Sequence, residues 1–244
     1  MDSNNIVLIM AGGLGKRMNS ELPKVLHLLK EKPLILHVIE TALKINPIKI
    51  GIIVGKYSKI IQETINKYLK DISKIEYIIQ PEALGTGHAI MCCKDFLSNY
   101  NYSNITVLSG DVPLIKSETL ERLNTSLNKS CVAILINKLD NPNGYGRIII
   151  DNKQFVKIVE EKDCNNEERK VDLVNSGIYS FKTETILNNI SKITNNNKQN
   201  EYYLTDIFNF IDKKLIDLVY LENKYEVMGV NTPDQLLSLE QIIS

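Results

Sequence analysis

The chain has 244 residues, 43% of them hydrophobic and 24% charged, with Lys+Arg and Asp+Glu both at 29. That length suffices to bury the core of one large domain or two small ones. The even charge balance excludes a global basic field of the kind nucleic acids attract, so an anionic ligand needs a local cluster of donors.

The polar start "MDSNN" and the short apolar run behind it fit neither a secretory leader nor a membrane span. Cys92, Cys93, Cys131 and Cys164 form no C-x-x-C pair and no zinc spacing with histidine. They are expected to be reduced, mostly structural thiols of a cytoplasmic protein without membrane or nucleic-acid partners.

In chain order, "IVLIMA" predicts a strand and "PLILHVIETALKI" an amphipathic helix. "IKIGIIVG" predicts a second strand, and "SKIIQETINKYL" a helix capped by Ser58. "IEYIIQ", a helix opening near "GTGHAIMCC", and "ITVLS" repeat the alternation. Such alternation predicts an α/β fold, a Rossmann-like and mostly parallel central sheet flanked by helices on both faces. Ligands of these sheets bind at the carboxyl ends of the strands, where each conspicuous motif falls.

The second half changes character. "CVAILINKL", "RIIID" and "QFVKIVEE" are closely spaced strands with "NPNGYGR" between the first two, which predicts a small antiparallel excursion. "DLVNSGIYSF" predicts a strand, "YYLTDIFNFIDKK" a helix, "LIDLVYL" a strand and "TPDQLLSLEQII" a final capped helix. The Asn-rich "NNISKITNNNKQN" is expected to be a solvated loop.

The loop after the first strand, "AGGLGKRMNSELPK", is neither of two familiar glycine signatures. A dinucleotide loop wants an acidic residue at the end of the second strand, which instead runs "GIIVGKYS". A P-loop wants Gly-Lys-[Ser/Thr] at the end of its glycine spacing, and Gly15-Lys16 is followed by Arg17. What remains is Gly12, Gly13 and Gly15 offering backbone N–H groups to an anion, with Arg17 as a bidentate phosphate donor and Lys24 as a point charge.

"AGGLGKRM", "LPKVLH", "QPEALGTGHA", "GDVPL", "GYGRI", "VEEKD", "VNSGIYSF", "NNNKQNEYYLTD" and "GVNTPDQL" occur in one order over nearly the whole chain. In this set the chain resembles the sugar-nucleotide nucleotidyltransferases. It is most similar to the uridyltransferase halves of bifunctional N-acetylglucosamine-1-phosphate uridyltransferase/glucosamine-1-phosphate acetyltransferases. The resemblance implies the nucleotide-diphospho-sugar transferase fold. It also implies transfer of a uridylyl group from UTP to N-acetylglucosamine 1-phosphate, giving UDP-N-acetylglucosamine and pyrophosphate with the help of Mg²⁺.

The resemblance also assigns roles. Arg17 and Lys24 match the catalytic cations, Arg17 on the departing pyrophosphate and Lys24 near the reacting phosphates. Asp111 and Asn231 match the metal ligands, although the residues alone read equally as a strand-end turn and a helix cap. Ala11, Gly12, Gly13, Gly15, Gln80, Gly85, Thr86 and Asp111 would surround the nucleotide. A glutamine amide can turn to suit uracil or cytosine, so Gln80 alone does not fix the base. Gly146, Glu160, Asn175, Tyr203 and Thr205 would hold the sugar, with "EEKD" otherwise a solvated charge run. His27 and His37 are expected to be structural, and His88 lies beside the base-binding turn.

On this reading residues 1–114 form a nucleotide-binding half, 115–231 a sugar-binding half and 232–244 a C-terminal helix. Two departures stand out. The bifunctional family usually has Ala-Ala-Gly where this chain has Ala11-Gly12-Gly13, and Ala-Gly-Gly occurs in relatives that use dTTP or glucose 1-phosphate. No left-handed β-helix acetyltransferase half follows "LEQIIS", so a monomer or weak homodimer is expected. The alternatives are a related pyrophosphorylase using glucose 1-phosphate or dTTP, and a non-catalytic nucleotide-sugar-binding module.

Overall fold

The computed structural model describes residues 4–13, 15–101 and 103–243, and of Lys16 the backbone alone. Apolar runs decide the layers. In β1 (Asn5–Met10) every residue from Asn5 to Ile9 is buried, as a strand covered on both faces must be. A short hairpin follows, β2 (Leu28–Leu29) and β3 (Lys32–Pro33), then α1 (Leu34–Lys44), β4 (Lys49–Val54), α2 (Ser58–Tyr68) and β5 (Ile75–Ile79). Next come α3 (Thr86–Met91), α4 (Lys94–Ser98), β6 (Asn104–Ser109) and α5 (Ser117–Ser126). The second half holds β7 (Val132–Lys138), β8 (Arg147–Asp151), β9 (Gln154–Val159), β10 (Leu173–Lys182), α6 (Thr183–Asn189), β11 (Ile216–Tyr220) and α7 (Pro233–Ile242).

The main path of the sheet runs β11-β7-β10-β6-β1-β4-β5, with β8 joined to β10 and β9 to β8. β1 lies parallel to β4 and β6, β4 to β5, and β11 to β7. β10 runs antiparallel between β6 and β7, and β8 and β9 form the expected antiparallel excursion. Val7 and Ile9 pack with Leu36, Ile39, Ile61 and Leu120 on one face, while Ile6 and Leu8 meet Ile90, Leu97, Ile186 and Phe208 on the other. The fold is the mostly parallel, helix-flanked α/β sheet that the alternation predicts.

Topology places the site. The chain goes from β1 to β4 and β5 on one side, then returns to β6 on the other. That reversal opens a crevice at the carboxyl ends of β1 and β6. Met10 lies opposite Ser109, so the loops after these two strands leave side by side.

Three local expectations need correction. Ser58 is the first residue of α2 rather than its cap, because its N–H already donates to Gly55 O at 2.9 Å. "YYLTDIFNFIDKK" forms 3-10 turns over Leu204–Phe210, not an α-helix. Its start is held extended: Tyr202 N–H donates to Leu84 O at 2.8 Å and Leu204 N–H to Thr86 Oγ1 at 3.0 Å. The Asn-rich stretch is a loop only in part: Asn188 and Asn189 end α6, and Ile190–Lys192 form a 3-10 turn. Residues 194–200 are the expected mostly exposed loop, with Lys198 N–H on Asp163 Oδ1 and Asn197 Nδ2 on Glu201 O.

The helices α5 and α6 escape the pattern reading. α5 buries only Thr119, Leu120 and Leu123, too few apolar positions to announce a period. Thr232, not Asn231, caps α7: Thr232 Oγ1 accepts from Gln235 N, and Gln235 Oε1 returns a bond to Asn231 N–H at 2.7 Å. This exchange uses Asn231's backbone and leaves its carboxamide to face the crevice.

Candidate active site

At the crevice, Lys24 forms an ion pair with Asp111 and donates to Asn231 Oδ1 at 3.0 Å. Arg17 Nη2 reaches the same Asn231 Oδ1 at 3.1 Å. The aspartate is held on its other oxygen by the Ser109 hydroxyl, and Val230 N–H donates to Asp111 O at 3.0 Å. Four side chains from three distant segments thus meet above β1 and β6. Asp111 Oδ2 and Asn231 Oδ1 converge on one positive group, the Lys24 ammonium.

One carboxylate and one amide oxygen suit a hard divalent cation that keeps waters and shares substrate phosphates. Among the described residues no cluster of His, Cys, Asp and Glu could hold a metal by itself. The donor set therefore fits a cation bound jointly with a polyphosphate, in the place the ammonium takes here.

The glycines expected at the nucleotide follow β1. Ala11 is buried and its N–H donates to Ile53 O at 2.8 Å, Gly13 is exposed, and Gly15 opens the 3-10 turn that carries Arg17. A Cβ on Gly12 would come within 2.7 Å of Gln80 Oε1. The space left by the missing methyl is filled by Gln80, which is buried at the end of β5. Gln80 Nε2 donates to Gly85 O at 3.1 Å and lies 3.3 Å from His88 Nδ1. Turning the amide would set two oxygens together, so Gly85 O locks Gln80 with its acceptor towards Gly12. In this orientation the amide presents its acceptor oxygen, and not its NH2, towards Gly12.

We predict that Gly12→Ala folds, because only the tip of a flexible side chain must yield. The UTP-using bifunctional family usually carries alanine here, so UTP should remain a substrate. The displaced Gln80 amide should change the ratio of kcat/KM for UTP over CTP about two- to tenfold, the weight of one hydrogen bond. Steady-state kinetics with UTP and CTP give the answer, and unchanged discrimination would separate Gly12 from base choice.

Gly85 needs its glycine for two reasons. Its φ is +110°, and a Cβ there would stand 2.5 Å from Tyr202 O. Thr86 spends its hydroxyl oxygen on Leu204 N–H. The turn expected at the base is thereby stapled to the segment carrying Tyr203 and Thr205, which joins the two halves of the crevice.

The residues expected at the sugar also gather. Thr205 Oγ1 donates to Glu160 Oε1 at 2.8 Å, and Asn175 N–H donates to Gly146 O at 2.8 Å. Asn175 sits where β10 changes register against β7. Its carboxamide is braced by Tyr179 OH at 2.7 Å and by Gly177 N–H at 3.2 Å. Tyr203 is buried, its hydroxyl accepting from Gln199 Nε2 at 2.8 Å. Burial pushes the Glu160 carboxyl above its usual range, the Thr205 bond works against this, and Asp206, Asp163 and Glu201 add to it.

Sequence reasoning missed several supports. Glu226 is buried and accepts from Thr119 Oγ1 at 2.6 Å, anchoring the chain before Asn231 to α5. Arg147, fully buried, pairs at 2.8 Å with the partly exposed Glu161. "GYGR" followed by "VEEKD" carried the signal, since a charged residue opening an apolar strand calls for a partner.

The chain is 40% identical over 244 residues to a protein of Acanthamoeba polyphaga mimivirus described as a probable UDP-N-acetylglucosamine pyrophosphorylase, covering 97% of this chain and 95% of that one. It is 44% identical over 238 residues to the bifunctional protein GlmU of Fervidobacterium nodosum, covering 97% of this chain and 50% of that protein. The chain thus spans about half the length of such bifunctional relatives. In fold it matches HddC from Yersinia pseudotuberculosis with a TM-score of 0.74 at 20% identity, over 98% of this chain and 99% of that one. No helix among the described residues is long and apolar enough to cross a membrane. The nucleotidyl transferase family model matches residues 6–227, and the chain belongs to that family of nucleotide-transferring enzymes.

Proposed function

We propose that this enzyme transfers the uridylyl group of UTP to N-acetylglucosamine 1-phosphate, releasing pyrophosphate. The observation that carries the reading is the meeting of Arg17, Lys24, Asp111 and Asn231 at the carboxyl ends of β1 and β6. The 40% identity to a mimivirus protein described as a pyrophosphorylase of this kind supports the substrate pair. Residues 1–114 would carry the nucleotide, 115–231 the sugar phosphate, and 232–244 a helix that braces Asn231.

The chemistry is an in-line displacement. A phosphate oxygen of the sugar phosphate attacks the α-phosphorus, the α–β bridging P–O bond breaks, and its electron pair leaves with pyrophosphate. The attacking oxygen is already anionic, so no protein nucleophile or general base is required. What the chain supplies is alignment of two polyanions and cancellation of their repulsion. Arg17 would take charge on the leaving pyrophosphate and Lys24 at the reacting phosphates. A Mg²⁺ held by Asp111 and Asn231 would supply Lewis-acid charge to the same phosphates.

The test is pyrophosphate release with Mg²⁺ across UTP, dTTP and CTP against N-acetylglucosamine 1-phosphate and glucose 1-phosphate. The highest kcat/KM is expected for UTP with N-acetylglucosamine 1-phosphate. Preference for glucose 1-phosphate or dTTP would replace the substrate assignment, and no turnover anywhere would leave a binding module.

A further inference from the structure

Arg147 is the largest fully buried side chain among the described residues, a cation with no exposed surface at the start of β8. Its Nη1 donates to Tyr145 O, and its Nη2 lies 2.8 Å from Glu161 Oε2, paired in charge but off the hydrogen-bond line. The Nε has no partner among the described residues. Burying a cation so incompletely satisfied is costly, and a well-packed apolar residue would serve stability as well or better. The arrangement calls for a role beyond packing.

Its two contacts flank the two groups expected at the sugar. The Tyr145 carbonyl and the Gly146 N–H belong to one planar peptide, so fixing the oxygen fixes the opposite direction of the N–H. Gly146 O is fixed in turn by Asn175 N–H at 2.8 Å. Glu161 adjoins Glu160, whose carboxylate meets Thr205. Glu161 Oε2 also accepts from Gly144 N–H at 3.2 Å, and Oε1 from Arg169 Nη1 at 2.6 Å. A single guanidinium therefore ties the "NPNGYGR" loop to the turn after β9. Burial opposes the ionisation of Glu161, yet the close Arg147 guanidinium, the Gly144 N–H and the charge of Arg169 hold its carboxyl below the usual range.

We infer that Arg147 is a positioning residue for the sugar phosphate: its bridge between Tyr145 O and Glu161 sets the direction of the Gly146 N–H and the place of the Glu160 carboxylate. The inference rests on the proposed sugar site. Arg147 lies next to that site rather than in contact with the reacting phosphates, so its loss should be felt in sugar binding and not in nucleotide binding.

The test is Arg147→Met, which removes the bridge and leaves Glu161 its pairing with Arg169, beside Arg147→Lys, which keeps a charge but lacks the planar fork that spans Tyr145 O and Glu161 at a fixed separation. Both are expected to raise the KM for N-acetylglucosamine 1-phosphate about 10- to 100-fold, with the KM for UTP within about twofold. An equal rise in both KM values, an unchanged sugar KM, or failure of both variants to fold would overturn the proposal. If the unaltered enzyme turns over no sugar 1-phosphate, the substrate reading fails separately. Crystal structures of the variants then decide: displacement of Glu160 from its 2.8 Å contact with Thr205 upholds the clamp, and an unmoved Glu160 removes it.

Discussion

Lys24→Met should lower kcat by about 10²–10³, the usual loss on removing one preorganised charge-stabilising group. Methionine keeps the length and apolar stem of the side chain, so the fold should survive. The charge is what disappears, at the point where two polyanions are brought together. Lys24 also stands between Asp111 and Asn231, the two oxygens best placed for a cation. On the proposed metal assignment, lysine and a divalent ion would compete in the free protein, and a triphosphate that draws the ammonium away would relieve that competition. This yields a second readout independent of turnover. Without nucleotide, Lys24→Met should bind Mn²⁺ at least about tenfold more tightly, a difference of about 1.4 kcal/mol, as followed by the ion's paramagnetic resonance. Near-normal kcat in a folded variant would remove Lys24 from the chemistry. Unchanged Mn²⁺ affinity would place the cation elsewhere.

The layers of the fold were legible because buried strands leave continuous apolar runs. β1, β4 and β6 are apolar on both faces and cannot be mistaken for surface segments. α5 was not legible, since it packs on β7, β10 and β6 with only Thr119, Leu120 and Leu123 buried, and its remaining positions look like loop. The 3-10 turns at Leu204–Phe210 were unreadable for another reason. Their apolar spacing satisfies an α-helix equally well, and the contacts that hold the start extended come from Leu84 and Thr86, more than a hundred positions earlier. For the site, the residue types were visible and their partners were not. Gln80 was readable as a candidate base contact, but the lock on its amide by Gly85 O exists only once β5 and α3 are folded together. Arg147 and Glu161 looked like ordinary charge because pairing between separate turns leaves no local period.

Glu160→Gln should separate binding from stability, because the same burial serves one and opposes the other. In the folded protein the Glu160 carboxyl lies above its ordinary value of 4.5, chiefly through burial. Between that value and the raised one, the folded chain holds a proton that the unfolded chain has released. Stability therefore falls as pH rises through this window and stays reduced above it. Glutamine does not titrate there and keeps an oxygen for Thr205, so the variant should melt at a higher temperature than the parent at pH 7–8. The gap should close below about pH 3.5, where Glu160 is protonated in both states. Sugar binding should move the opposite way. A carboxylate accepting from a sugar hydroxyl makes a charge-assisted bond of about 1.5–3 kcal/mol, so the KM for the sugar phosphate should rise about 10- to 150-fold. A variant that gains stability and keeps its sugar KM would place the sugar away from Glu160. One that loses stability at neutral pH would mean that the ionised carboxylate is better solvated than its burial implies.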